Sequence, residues 1–504
     1  MRYGFAIDQR TCIGCHACTV ACKTEHQVPV GQFRTWVKYV DQGEYPSTTR
    51  DFGVMRCNHC TDAPCVKVCP TSSLFTRDDG IVDFDGDRCI GCKACMQACP
   101  YDAIYIDADT HTAAKCNFCA HRVDQGLEPA CVVVCPTESI WVGDLDDPSS
   151  AIAQLISANE TAVRAPEQNT GPNVFYLGAD RAVLEPLDAP PDGTYLWSEP
   201  DAHRREVAAD LHVDPVTRAK TTLNTAHPRP WGWRVTTYLW TKAVGAGALM
   251  LASLALLLGV DLGSMGTVVA PIVALTGTAV TGVLLVSDLK RPERFLYIFL
   301  KPNPTSWLFW GSVILATYAG LAVLWLVAGL LGQGSLIAVL AGPAALAGLM
   351  TAAYTGLLFG QAEGRDLWQS PLLFWHLVVQ AVMVGAGAML LCLPLADVSS
   401  SGKRLLVGAL VVGTVGHLAM LLMEYARPHR TRGAAAAARM ITHGRYARTF
   451  WAAVAVAVVA AVSAAVDWST AVSGPAYAAA VLVQPALLAY ESVFVRAGQD
   501  VPLS

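Results

Sequence analysis

At 504 residues, 53% hydrophobic and only 15% charged, the chain is too long for one ordinary domain and too apolar to be wholly water-soluble, so a membrane part is expected. A formal net charge of -5 provides no large basic field, which excludes nucleic acid as an expected partner. Sixteen of the seventeen cysteines fall between Cys12 and Cys135, and only Cys392 lies in the apolar half, where it reads as inert packing.

In chain order, Met1 to Arg10 shows no apolar run, no small-residue cleavage site and no twin arginine, so no export signal is expected within the chain itself. The cysteine region then opens and is internally duplicated. Cys12–Cys18 reads CIGCHAC and Cys89–Cys95 reads CIGCKAC; Cys57-Asn58-His59-Cys60 with Cys65 and Cys69 is echoed by Cys116-Asn117-Phe118-Cys119 with Cys131 and Cys135. Four quartets result. Cys12, Cys15, Cys18 and Cys22 are spaced C-x2-C-x2-C-x3-C, and Cys89, Cys92, Cys95 and Cys99 repeat that spacing; Cys57, Cys60, Cys65 and Cys69 leave four residues in the middle gap, and Cys116, Cys119, Cys131 and Cys135 leave eleven.

Three cysteines on a tight loop and a fourth just beyond form the pattern by which thiolates cage a cubane cluster, and in two-cluster ferredoxins the fourth cysteine serves the other motif's cluster. The expectation is four 4Fe-4S clusters held by all sixteen thiolates. A disulfide framework does not suit pairs spaced by two residues, and tetrahedral zinc fits the closing C-x3-C poorly. Cys12-Ile13-Gly14-Cys15-His16 also matches the c-type haem attachment pattern, but covalent haem would remove two thiolates from a complete quartet, so no haem is expected. The duplication permits the first motif to share ligands with the second or with the fourth. No nucleophile or general base accompanies the cysteines, so no catalytic residue is assigned to this half, which reads as a wire.

Residues 1–145 are thus expected to form a duplicated, ferredoxin-like α+β domain, followed over 146–230 by a mostly irregular connector rich in Pro, Asp and Ala. From 231 to 504 apolar runs long enough to cross a bilayer recur near 236–259, 265–287, 306–331, 335–359, 371–395, 404–425, 447–466 and 471–495, giving an all-α bundle of about eight transmembrane helices. An even count returns both ends to one side. Loops on that side carry Lys290, Arg291, Arg294, Lys301, Arg365, Arg427, Arg430, Arg432, Arg439 and Arg445, against Lys403 and Arg404 opposite, which by the positive-inside rule sets the ferredoxin domain on the cytoplasmic face of an inner membrane. The alternative is that these charges bind the neighbouring domain.

Ionisable groups inside a bilayer are expensive, so each is a functional candidate. Tyr238, Lys242, Asp288, Tyr354, His376, His417 and Glu424, with Tyr490 and Glu491 ending the last span, all fall in the half nearer the ferredoxin domain, while the far half offers mainly Ser and Thr. The first seven are the expected quinone-binding set, because quinone exchange needs hydrogen-bond donors to two carbonyl oxygens and a protonatable group. Near-side clustering implies electroneutral turnover if that side is cytoplasmic.

On the cysteine motifs, together with Ser287-Asp288-Leu289-Lys290-Arg291-Pro292, Met423-Glu424-Tyr425 and Val495-Arg496-Ala497-Gly498-Gln499, the chain resembles a fusion of two subunits of the dimethyl sulfoxide reductase and polysulfide reductase families: a four-cluster electron-transfer subunit and an NrfD-type membrane subunit. The resemblance implies nested sharing: Cys12, Cys15 and Cys18 with Cys135; Cys116, Cys119 and Cys131 with Cys22; Cys57, Cys60 and Cys65 with Cys99; Cys89, Cys92 and Cys95 with Cys69. It also implies a separate catalytic subunit carrying a molybdenum or tungsten bis-pterin, with menaquinone or ubiquinone as the exchangeable membrane substrate. On this reading the chain takes no part in the chemistry of the partner's substrate. A redox-driven ion-translocating module and a passive membrane anchor are the alternative readings.

Overall fold

The computed structural model describes residues 1–192, 207, 209–213, 215–226, 228–470 and 473–504. Part of the expected connector and the first two residues of the expected eighth span therefore lie outside the described residues.

The N-terminal half is built on one four-stranded sheet and one three-stranded sheet. Strand β1 (Tyr3–Asp8) lies at the heart of the first, with Phe5, Ala6 and Ile7 fully buried, as an unbroken apolar run requires when both faces are covered. The second is formed by the long hairpin β2 (Thr35–Glu44) and β3 (Ser47–Arg56). The duplicated unit is visible as two small hairpins, β4 (Leu74–Thr76) with β5 (Val82–Phe84) and β6 (Ile104–Ile106) with β7 (Ala113–Lys115). Strand β8 (Ile140–Asp144) then pairs antiparallel with β1.

The segment read as a mostly irregular connector is structurally engaged. It provides β9 (Thr161–Ala162), β10 (Val174–Leu177), which pairs parallel with β1, and β11 (Lys220–Leu223), which pairs with β2. Strands of two to four residues are too short to declare a period in sequence. Val174, Tyr176 and Leu177 are nevertheless fully buried, so the first sheet is complete only when this segment is in place.

The C-terminal half is all helix. Eight helices among the described residues are long and apolar enough to cross a membrane: Trp233–Leu257, Ala270–Asp288 with a π-helical lead-in at Met265–Val269, Trp307–Leu330, Gly334–Gly360, Leu373–Leu391, Ser400–Tyr425, Ala447–Thr470 and Ser473–Asp500. The first and fifth are the most enclosed, and the second and third mostly face outward. Without a hydrophobic drive between helices in lipid, close approach relies on small residues. A Cβ built on Gly247 of the first helix would lie 1.9 Å from the carbonyl oxygen of Ala381 in the fifth, and one on Gly385 would lie 2.6 Å from the backbone of Gly247.

The halves are joined by backbone. The short helices that carry the third cysteine of the two middle motifs, Pro64–Val68 and Ala94–Ala98, end on carbonyls with no partner inside the helix. Donors from the membrane loops meet these ends: Ser306 Oγ donates to Val68 O (2.7 Å), Asn303 Nδ2 to Cys69 O (2.8 Å), Gly364 N to Ala98 O (3.2 Å) and Arg365 Nε to Gln97 Oε1 (2.8 Å). Several loop cations counted in the charge asymmetry are used here as well. Arg291 donates to Thr110 O, Arg294 to Gly86 O and Cys89 O, and Arg432 pairs with Asp188. The asymmetry therefore has a second cause in domain docking.

The Gly247 crossing yields a direct check. Gly247→Ala is expected to cost about 1–3 kcal/mol through overpacking against backbone that cannot retreat. Gly282→Ala, whose added methyl meets nothing within 4 Å, should leave thermal unfolding in detergent unchanged or slightly improved.

Candidate functional site

The two CIGC loops fold alike. Gly14 and His16 in one, and Gly91 and Lys93 in the other, all take left-handed backbone conformations (φ 68°, 61°, 68° and 65°), which wrap each loop around its thiols. A side chain at Gly91 would also strike Lys290, so this loop is closed against the membrane half.

The thiols converge in a nested grouping. Cys12, Cys15, Cys18 and Cys135 line one small cavity, and Cys69, Cys89, Cys92 and Cys95 line another. Cys57, Cys60 and Cys65 gather with Cys99, and Cys116, Cys119 and Cys131 with Cys22. Close approaches between groups order them in a line: Cys18 interacts with Cys131, Cys116 with Cys57, and Cys65 with Cys95. One end reaches solvent at exposed Cys15. The other reaches the membrane half, where the indole N–H of Trp231 donates to Cys92 O at 3.3 Å.

The donor set suits a multi-iron cluster. Four thiols line one small shared cavity in the Cys12 group and another in the Cys89 group, the arrangement a cubane cluster needs. Backbone N–H groups already point at sulfur, from Ser139 to Cys135 and from Ala113 to Cys89, both at 3.3 Å. Burial pushes the Cys18 thiol up to about 11 and the Cys22 thiol up to about 12, so without metal these sulfurs keep their protons.

Four basic residues stand against this sulfur. Arg56 NH1 donates to Cys131 Sγ at 3.3 Å, His26 Nε2 lies 3.1 Å from Cys119 Sγ, Lys115 is fully buried beside Cys116, and Lys93 adjoins Cys92. Burial holds His26 down to about 4, so it is neutral there. Sequence reasoning missed all four. The duplication held the signal for two, since Arg56 and Lys115 each directly precede the CNxC of their copy.

The seven expected quinone residues separate into four places. Asp288 faces the ferredoxin domain, its Oδ2 accepting from Lys93 Nζ at 2.6 Å with Arg234 4.0 Å away. Lys242, Tyr238 and Tyr354 lie within the bundle, Lys242 donating to Ala352 O at 3.0 Å and standing 4.7 Å over the Tyr354 ring. They are joined there by Glu491, which interacts with Lys242 and whose carboxyl oxygens are both buried without a hydrogen-bond partner among the described residues. His376 and His417 form a third group, Nε2 to Nδ1 at 2.8 Å, with the Tyr490 ring against both. Glu424, expected to share a cavity with His417, instead accepts from Ser370 Oγ at 2.6 Å and is partly exposed. Adjacent Tyr490 and Glu491 on the last helix tie the second and third groups together. In the far half Asp467, passed over in the sequence, is buried beside a cavity of about 350 Å³ that Lys403 and Arg404 also line.

Asp288 also lines a cleft of about 790 Å³ between the halves, together with Lys93, Met96, Trp233, Arg234 and Lys290. Trp233 is exposed at the foot of the first membrane helix, so the cleft lies at the level where lipid would begin.

A family model described as a 4Fe-4S dicluster domain matches residues 49–145, and one described as polysulphide reductase, NrfD matches residues 221–483, just over half of the chain. The N-terminal part is similar to a tetrathionate reductase subunit of Salmonella typhimurium, 48% identical over 190 residues that cover 37% of this chain and 76% of that protein. It is similar also to one of the polysulfide reductase chains of Wolinella succinogenes, 39% identical over 187 residues covering 36% and 98%. The arsenate respiratory reductase iron-sulfur subunit of a Shewanella species is 36% identical over 225 residues covering 35% and 96%.

The contact between Lys93 and Asp288 is open to a double-mutant cycle. Lys93→Ala and Asp288→Ala should each destabilise the chain, and the pair should lose less than the sum, leaving a coupling of about 1–3 kcal/mol in thermal unfolding.

Proposed function

Because the chain belongs to the polysulphide reductase NrfD family and carries a 4Fe-4S dicluster domain in the same polypeptide, we propose that it is the electron-transfer and quinone-reacting subunit of a molybdopterin reductase complex. Its catalytic partner would carry the molybdenum or tungsten bis-pterin, and its membrane substrate is menaquinone or ubiquinone. Cys12, Cys15, Cys18 and Cys135, then the groups of Cys116, of Cys57 and of Cys89, would hold four 4Fe-4S clusters. When bound, these supply one-electron carriers. The observation that carries the reading is the Lys93–Asp288 contact, which sets the innermost cysteine loop directly against a membrane helix at a cleft large enough for a quinone ring.

The residues divide the work. At the cleft Lys93 and Arg234 can donate to quinone carbonyl oxygens and the Asp288 carboxylate can accept from a quinol hydroxyl, and Trp233 marks the side from which an isoprenoid tail enters. Quinone reduction takes two electrons and two protons, and quinol oxidation returns them. Partly exposed Glu424 stands at the ferredoxin-side end of a set of polar side chains in which Tyr490 packs against His376 and His417, with Glu491, Lys242, Tyr238 and Tyr354 beyond. Such groups can hold and pass protons on the ferredoxin side of the bundle, the side on which the cleft also lies. The partner docks at the opposite end, where Cys15 is exposed and Ile13 and Val20 are more than half accessible. Lys301, Arg427, Arg430 and Arg439, against Lys403 and Arg404 on the far side, support a cytoplasmic position for the ferredoxin domain in an inner membrane.

The test uses the full chain in lipid nanodiscs under anaerobic conditions. A short-chain quinol should reduce the iron-sulfur chromophore, and Asp288→Asn should slow that reduction at least tenfold while dithionite still bleaches the same absorbance. If Asp288→Asn matches the parent, the membrane half acts as an anchor and the reading fails. In proteoliposomes, turnover should move no net charge, because electrons and protons use one side. The eighth helix supports this: between Tyr477, at the Asp467 cavity, and Gln484 lie only Ala, Val and Leu.

A further inference from the structure

Arg56 is fully buried, and so is Lys115. A buried cation costs several kcal/mol unless an anion answers it. Arg56 NH1 donates to Cys131 Sγ, the guanidinium lies 4.3 Å over the Phe5 ring, and Nε and NH2 have no hydrogen-bond partner among the described residues. The groups acting on Arg56 are the thiols of Cys131, Cys116 and Cys18, and it acts in turn on Cys22 and Cys119. It thus stands between the Cys12 group and the Cys116 group. Lys115 donates to Val82 O and Cys116 O and acts on Cys65 of the Cys57 group. Neither side chain forms an ion pair with a carboxylate among the described residues.

The two positions are one position copied. Arg56-Cys57-Asn58-His59-Cys60 and Lys115-Cys116-Asn117-Phe118-Cys119 align without a gap. Each cation is carried by one half of the pseudo-symmetric domain, and Arg56 reaches into the sulfur of the other. The end groups of the line differ. The Cys12 group opens to solvent at Cys15, and the Cys89 group has Lys93, which is already paired with Asp288. Arg56 borders Cys18 of the Cys12 group as well as the Cys116 group, and Lys115 borders the Cys57 group; of these, the two middle groups are the ones whose four thiols are all buried.

Resting on the four-cluster reading above, we propose that Arg56 and Lys115 are internal counter-cations that raise the reduction potentials of the two middle clusters, those of the Cys116 and Cys57 groups. A fixed positive charge in a poorly polarisable interior favours the more negative, reduced state, and its effect is not screened as it would be at the surface. They are positioning residues, acting on the cofactor through its surroundings.

The experiment is a mediated redox titration of the purified full chain, followed by low-temperature EPR, after iron per chain has been measured. For Arg56→Gln and for Lys115→Gln, one couple should show a reduced-to-oxidised ratio at least tenfold below the parent at the parent's midpoint, equivalent to about 59 mV for one electron. Arg56→Lys should remain within twofold of the parent. It also serves as the informative variant if Arg56→Gln loses iron, since it keeps the charge and discards the fork that reaches Cys131. A tenfold fall in Arg56→Lys, or unchanged couples in both Gln variants with iron retained, overturns the proposal. A parent protein with far fewer than about sixteen irons per chain would instead sink the four-cluster reading itself.

Discussion

A helix of five residues cannot satisfy its own carbonyls, and this protein places two such helices at the join between its halves. Pro64–Val68 and Ala94–Ala98 each follow a loop whose geometry is dictated by cysteines, so neither can lengthen to bond itself. Their free ends are met by Ser306, Asn303 and Gly364, all from loops between membrane helices, and Arg365 adds a bond to the Gln97 side chain. The backbone of Lys290 and Arg291 likewise bonds Gly91 O and Ile90 O. The cysteine loops nearest the bilayer are therefore shaped partly by the membrane half, which gives a physical reason for both to share one chain.

Duplication gave this arrangement two copies of one loop and two surroundings. In the second copy Gly91 is pressed against Lys290 and Lys93 reaches Asp288. In the first, Gly14 is covered by Phe52 and His16 turns to Tyr39, leaving Cys15 at the surface. The same local fold thus makes a sealed contact at one end of the cysteine line and an open one at the other.

Much of this was legible in sequence wherever the rule was local. Cysteine spacing and runs of apolar residues declare themselves over a few residues or turns, and the ferredoxin-like half and the eight helices follow from them. What depended on distant contacts was not legible. Nothing in Val174–Leu177 announces a partner more than 160 residues earlier, yet it pairs with β1. His417 and Glu424 share a helix face by spacing, but Ser370 draws Glu424 away. Glu491 was visible as a polar residue ending a span, and only three dimensions bring it to Lys242. The loop arginines could be read for membrane topology or for docking, and the structure gives many of them a docking role.

The last turn of the eighth helix carries a consequence for how the molecule is made. Gln499 bonds Gln97, 402 positions away, as well as Trp231, while Arg365 holds the carbonyls of Gln499 and Val501, and Arg164 that of Leu503. A ribosome delivers the cysteine region long before these residues exist. These particular contacts on Gln97, Trp231, Arg365 and Arg164 can therefore close only once the final span is in place. The final span thus seals the side of the redox half that carries Gln97.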